Sequence, residues 1–212
     1  NFRFEAIVHD DASTDGSAAI IREYAAKYPD IIKPIYETEN LYSKRDGSLR
    51  RIMNAHIRGE YVAICEGDDF WTDPLKLQRQ VDFLESHPDF SLCTHHFSVY
   101  HQDTQKYESD WYAYKDSDFE FDLSYFVSRK AWVTQPLTIL YRNSPKFAEE
   151  YEHYKLRKDI TLIYLLLKYG KGMLLKDDMG VYRLHGGGVW IGIKKDQRIN
   201  AEIKYAEHRN NQ

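Results

Sequence analysis

The most constraining feature of this chain is a short apolar run, Tyr61-Val62-Ala63-Ile64-Cys65, that passes without a spacer into Glu66-Gly67-Asp68-Asp69. Five consecutive apolar positions, rather than alternating ones, read as a strand buried on both faces. Strands of that kind occur in sheets that helices cover on both sides. The rest of the chain supplies the covering pieces. Residues 4–8 form another apolar run ending in a turn-rich segment, and Asp15 or Ser17 can cap a helix carrying Ala19, Ile20 and Tyr24 at helical spacing. Residues 31–36 read as a strand, 48–57 as a helix stopped by Gly59, and Asp73 before Pro74 opens an amphipathic helix with Leu77, Val81 and Leu84 on one face. Residues 90–99 are strand again. Alternation of this kind predicts an α/β fold with a mostly parallel sheet, whose ligands gather at the carboxyl ends of the strands.

Periodicity is lost from residue 101 to 121, where Tyr, Asp, Lys and Ser crowd together, so a flexible loop or lid is expected there. Beyond it, 123–129 reads as helix, 137–141 as strand, 159–169 as amphipathic helix, 173–175 and 181–184 as two short strands, and the polar tail from Asp196 as helix. No linker or repeat divides the 212 residues. A single domain is expected, with residues 1–100 as one half, the loop 101–121, a second half over 122–195 and the tail 196–212.

Composition narrows the partners. A chain 42% hydrophobic and 29% charged is not globally disordered. Its 29 basic against 33 acidic side chains leave a formal charge of −4, which makes nucleic acid an unsuitable main partner. Cys65 and Cys93 lie in apolar runs, and neither a signal peptide nor a membrane-length apolar segment is visible, so a reducing, cytoplasmic setting is expected. Peripheral association with the inner face of a membrane is compatible with this reading, and oligomeric state is not readable.

Two acidic loops follow apolar strands. In Glu66-Gly67-Asp68-Asp69, three carboxylates in four residues repel one another unless a cation compensates, and Mg²⁺ or Mn²⁺ suits carboxylate oxygen. Taken alone, the cluster suits a solvated loop whose carboxylates cap the Pro74 helix better than it suits a metal site. Asp10-Asp11-Ala12-Ser13-Thr14-Asp15-Gly16-Ser17 is weaker still, because these are ordinary turn and cap residues.

Together and in order, the segments HDDASTDGS, EGDDFWTDPLKLQRQVDFL and RKDITLIYLLLKYGKGMLLKDDMGVYRLHGG resemble three motifs of the inverting family 2 glycosyltransferases of the GT-A (Rossmann-like) fold. The first is similar to that family's VDDGSTDGS nucleotide loop and the second to its metal loop and following helix. The third resembles the stretch that opens on an acidic catalytic residue and closes on tyrosine, arginine, an apolar residue and histidine. The resemblance implies that Asp11 accepts a hydrogen bond from a uridine-type base, with Asp10 supporting the loop. It implies that Asp69 binds the metal, that Asp68 contacts the ribose or a metal-bound water, and that His185 completes the metal shell or meets the diphosphate. Asp159 aligns with the general base, and Arg50 with an arginine lining the nucleotide pocket. The implied partners are a nucleotide-sugar donor, UDP-linked by preference, with Mn²⁺ or Mg²⁺, and a carbohydrate or lipid-linked acceptor in bacterial surface polysaccharide or glycolipid synthesis.

Bland alternatives stand beside these roles. Asp159 could be only the cap of the 159–169 helix. His95 and His96, adjacent on a strand, should point to opposite faces and suit a sheet better than a metal. Trp71 and Trp132 could stack on a sugar or base. The family usually opens with a strand reading like SVIIPTYN, and this chain begins after it, so the sheet is expected to lack a central strand. That expectation keeps a second reading in view, a catalytically silent nucleotide- or carbohydrate-binding module. Glu66 stands where the family often has aspartate, and Lys158 where it often has glutamate; a lysine close to Asp159 would lower its pKa.

Overall fold

A computed structural model describes residues 2–44, 46–112, 116–128, 133–154 and 159–187. The chain runs β1 (Ala6–Asp10), α1 (Ser17–Lys27), β2 (Ile32–Tyr36), α2 (Ser48–His56), β3 (Tyr61–Ala63), β4 (Phe70–Trp71), α3 (Lys76–Ser86), β5 (Phe90–His101), β6 (Lys106–Ser109), β7 (Phe119–Phe121), α4 (Leu123–Ser128), β8 (Leu140–Arg142), α5 (Pro145–His153), α6 (Asp159–Tyr169) and β9 (Lys171–Leu184). The architecture is α/β, a central sheet flanked by helices, as the alternation predicts.

The sheet itself is mixed rather than mostly parallel. β1 and β2 form a separate parallel pair, and the larger sheet runs β3-β8-β5-β9-β4, with β6 added to β5 and β7 to β9. Within the larger sheet only β5 and β9 are parallel; β3, β4, β6, β7 and β8 pair antiparallel with their neighbours. An apolar run reads the same in either direction, so its pattern shows burial and not polarity. Among the described residues no strand joins β1 to β3. β1 keeps one paired edge, and its apolar side chains are only partly covered although their run is continuous.

The core lies on both faces of β5. On one face α6 contributes Leu162, Ile163, Leu165 and Leu166 against Leu92, Phe97, Tyr112 and Leu174. On the other, α3 brings Leu84 against Phe90, Cys93, Leu140 and Met179. Each such aliphatic or aromatic side chain contributes about 1.5–3 kcal/mol on leaving water.

Several local expectations are revised. The expected loop 101–121 is largely ordered: β5 runs on to His101 and returns through a tight turn, with Gln105 at φ 56°, into β6. Tyr100 and Tyr107 face each other across this hairpin, their ring centroids 4.8 Å apart. The two short strands near the end are one strand, β9, bulged where the pairing passes from His95–Leu175 to His96–Asp178. The polar residues Lys176 and Asp177 of that bulge interrupt the apolar pattern from which two strands are read. The 137–141 strand begins later, after a short helical turn over Pro136–Thr138. α5 carries its own start signal, Ser144, whose hydroxyl accepts from the Phe147 amide at 3.2 Å. The expected helical tail from Asp196, and with it Trp132 and Lys158, lies outside the described residues.

Candidate functional site

The carboxylates are gathered by the strand ends. β3 stops at Ala63 and releases the chain into the 64–69 loop, and β4 then pairs with β9 through Phe70–Val181 and Trp71–Gly180. That pairing draws Asp69 to the end of β9, where the Arg183 amide donates to Asp69 Oδ1 at 2.9 Å. The second oxygen, Oδ2, is buried with no hydrogen-bond partner among the described residues. Burial pushes the Asp69 carboxyl up to about 6, with the Asp68 charge adding to the rise and the Arg183 bond opposing it. Next to it, His185 Nε2 lies 3.0 Å from Asp68 Oδ2. Three residues expected to act together, Asp68, Asp69 and His185, are thus brought to one place by the β4–β9 pairing, with His185 lying 117 positions beyond Asp68 in the chain.

Asp159 opens α6 in its first turn, exposed and at the positive end of the helix dipole. Its charge falls on Glu66: burial pushes the Glu66 carboxyl up to about 7, and Asp159 is the largest electrostatic contributor, ahead of Asp69 and Asp68. The two expected halves of the chemistry, acidic loop and base, therefore share one electrostatic neighbourhood. Glu66 stands out in the sequence only as a departure from a pattern; its raised pKa beside Asp159 is a product of the packing.

The nucleotide-loop residues sit at the end of β1. Asp11 accepts from the Leu41 and Tyr42 amides at 2.7 and 2.8 Å, which ties the two loops together. Asp10 is buried; its Oδ2 accepts a long bond from the Ser13 amide at 3.4 Å, and its Oδ1 has no partner among the described residues. Ala12 between them adopts a left-handed conformation, φ 58°, which costs a non-glycine residue of order 1 kcal/mol and turns the chain sharply. Arg50 projects from α2 over the Tyr151 ring on α5, 5.1 Å from its centroid, and Asn54 reaches Glu152 at 3.3 Å.

Among the described residues, the other candidates raised by the sequence make contacts internal to the fold. Trp71 donates its indole N–H to the Leu137 carbonyl at 2.8 Å and carries the buried Lys76 ammonium 4.2 Å over its ring. His95 and His96 are buried in β5; His95 Nδ1 meets the His96 carbonyl at 2.6 Å, and His96 Nδ1 meets Asp110 at 2.8 Å. Desolvation and the neighbouring carboxylates push the Cys65 thiol up to about 11, which disfavours the thiolate form.

The donor chemistry fits a hard divalent ion: two carboxylates and an imidazole, one carboxylate oxygen buried and unsatisfied. Among the described residues no three His, Cys, Asp or Glu side chains close into a cage. Ions such as Mg²⁺ commonly take one or two carboxylates and draw their other ligands from water and substrate phosphate.

A sequence profile described as "Glycosyl transferase family 2" matches residues 1–145, more than half of the chain. The chain belongs to glycosyltransferase family 2. Its relatives include uncharacterized proteins of Mycobacterium tuberculosis and Mycobacterium bovis, each 35% identical over 207 residues, covering 93% of this chain and 55% of the relative. The chain thus spans about half the length of these curated relatives. A putative teichuronic acid biosynthesis glycosyltransferase of Bacillus subtilis, TuaG, is 26% identical over 209 residues, covering 95% of this chain and 77% of the relative. Among solved structures, a mannosyltransferase of Pyrobaculum calidifontis in complex with GDP-Man and Mn²⁺ superposes with a TM-score of 0.58 at 20% identity, covering 87% of this chain and 49% of that one. At that identity the likeness shows the GT-A fold of this family 2 member.

Proposed function

We propose that this protein transfers a sugar from a nucleotide-diphosphate sugar, UDP-linked by preference, to an acceptor hydroxyl with inversion, in surface polysaccharide or glycolipid assembly. The observation that carries the proposal is the buried Oδ2 of Asp69, without a partner among the described residues, beside the Asp68–His185 pair. Burying a carboxylate oxygen without a partner is costly, and a divalent cation removes that cost while giving the acidic loop a task. The name of TuaG, with its teichuronic acid pathway, supports the polysaccharide assignment. The GDP-Man and Mn²⁺ held by the Pyrobaculum mannosyltransferase support a nucleotide-sugar donor and a metal.

In this reading Asp69 holds Mn²⁺ or Mg²⁺, with Asp68 and His185 alongside. When bound, the ion supplies Lewis-acid stabilisation of the departing diphosphate. Asp10 and Asp11 receive the base: Asp11 already holds the Leu41 and Tyr42 amides, and Asp10 Oδ1 is a buried acceptor with no partner among the described residues. Arg50, braced on Tyr151, lines the nucleotide side. Asp159 takes the proton of the attacking acceptor hydroxyl. One base opposite one departing group is an in-line displacement, so the anomeric configuration inverts and no covalent enzyme intermediate forms.

The test is a panel of UDP- and GDP-sugars offered to the full-length protein with Mn²⁺, with Mg²⁺ and with chelator. Donor consumption that needs the metal and disappears in Asp69→Ala is the expected result. Nucleotide binding without turnover under every condition would instead make the chain a silent binding module, and absence of metal-dependent binding would overturn the proposal.

A further inference from the structure

Beside the Arg183 amide that fixes Asp69 stands Tyr182, a ring the proposed chemistry leaves unassigned. It meets Trp111 edge-on, centroids 6.0 Å apart at 88°, and Phe97 at 6.2 Å and 76°. Trp111 also meets Phe97 at 5.0 Å and 84°, and Tyr112 at 6.4 Å and 89°. Phe97 and Tyr112 are buried in the core, yet Trp111 remains 53% exposed. An indole gripped by three near-perpendicular rings is fixed in orientation, so it offers solvent a flat apolar surface whose ordering cost is already met.

Its place matters as much as its exposure. Phe97 and Tyr112 belong to the core cluster against which both Tyr182 and Ile160 pack, so Trp111 lies on the α6 face of the sheet, the face on which Asp159 begins its helix. The Arg183 guanidinium is turned onto Gln102 Oε1 at 2.9 and 2.6 Å, Asp110 is a carboxylate bound by His96 and by the Phe97 and Tyr112 amides, and Lys176 and Asp178, of opposite charge, line a hollow beside Phe97 and Asp110. A pyranose ring suits the place: its axial C–H groups form an apolar face, and its hydroxyls remain at the hydrated rim.

We infer that Trp111 is the stacking platform for the terminal pyranose of a glycan acceptor and helps to determine which acceptor sugar is used. The inference rests on the transferase reading above and names the acceptor class for it: a sugar hydroxyl on a glycan, not a phosphate on a bare lipid carrier.

Saturation-transfer NMR of the full-length protein with methyl α- and β-glucosides, galactosides and mannosides tests it, alongside donor cleavage measured without acceptor. At least one pyranoside should show contact through its C–H face. Its affinity, and the corresponding acceptor KM, should weaken about tenfold or more in Trp111→Ala and be largely retained in Trp111→Phe, with donor cleavage unchanged in both. Wild-type-like acceptor behaviour in Trp111→Ala, or no pyranoside contact with the wild type, overturns the inference even where donor cleavage proceeds. Pyranoside binding through Trp111 with no cleavage of any donor would keep the platform and remove the transferase reading.

Discussion

Asp69 has two unlike oxygens, one held by the Arg183 amide and one buried without a partner among the described residues. Its carboxyl, raised to about 6, binds its proton more tightly in the folded chain than in the unfolded one. The ion-free protein therefore draws stability from this group at acid pH and loses it as pH rises through about 6. Metal binding needs the ionised form, so stabilisation by Mn²⁺ is expected to be greater near about pH 7.5 than near about pH 5. At a hundredfold excess over Kd it amounts to about 2.7 kcal/mol, a rise of roughly 5–11 °C in Tm. Thermal melts of wild type and Asp69→Asn with and without Mn²⁺ check this, and the variant should show no rise. For Asp159→Asn, turnover is expected to fall by about 10²-fold or more while nucleotide affinity is kept, as read by donor consumption and calorimetry. Loss of both together would make Asp159 a helix cap whose removal disturbs the site.

Single elements carry their own consequences. β9 bends at its bulge and still pairs with β4, β5 and β7, so its glycines lie under close cover. A Cβ on Gly172 would sit 2.3 Å from Phe121 Cζ and 2.4 Å from Cε2. Gly172→Ala is expected to cost about 1–3 kcal/mol, read as a lowered denaturant midpoint at unchanged slope. In α3, Lys76 is 1% exposed, donates to Gln80 Oε1 at 2.7 Å, and has no carboxylate among these partners. The Gln80 amide continues to the Cys93 and Thr138 carbonyls at 2.8 and 2.9 Å, binding α3 to the sheet. Burial draws the Lys76 ammonium down to about 7. Between that value and its ordinary 10.5 the unfolded chain holds more protons, so stability should climb with pH across the window. Lys76→Met should flatten that climb in urea titrations made at several pH values. A buried lysine in an amphipathic helix pattern looks like one more polar position, and only the packing of Trp71 and Gln80 around it shows otherwise.

At the scale of the molecule, the residues proposed to bind the donor are divided between two sheets. Asp10 and Asp11 end the β1–β2 pair, and Asp69 belongs to the larger sheet, with α2 joining them through Arg50 on Tyr151 and Asn54 on Glu152. A nucleotide diphosphate held by both groups of carboxylates would cross-link the sheets. UDP with Mn²⁺ is therefore expected to slow amide exchange in β1 and in the 64–69 loop together, by about tenfold or more, and either ligand alone to do much less. Protection confined to one sheet would place the nucleotide elsewhere. No described helix is long and apolar enough to cross a membrane.

The order of acidic loops, apolar strands and the YRLH ending was readable from the chain alone, because burial and turn chemistry are written locally in residue type. With the motif resemblance, that order identified the family and placed Asp69 and Asp159 among the candidates. Strand direction, the pairing of β4 with β9, the hairpin inside the 101–121 segment and the closeness of Glu66 to Asp159 came only with the tertiary structure. Each depends on contacts between residues distant in sequence, whose free energy exists only once the chain has closed on itself. The same holds for Trp111: its type is visible in the sequence, but the three rings that hold it beside β9 are contributed by β5, β9 and the chain following β6.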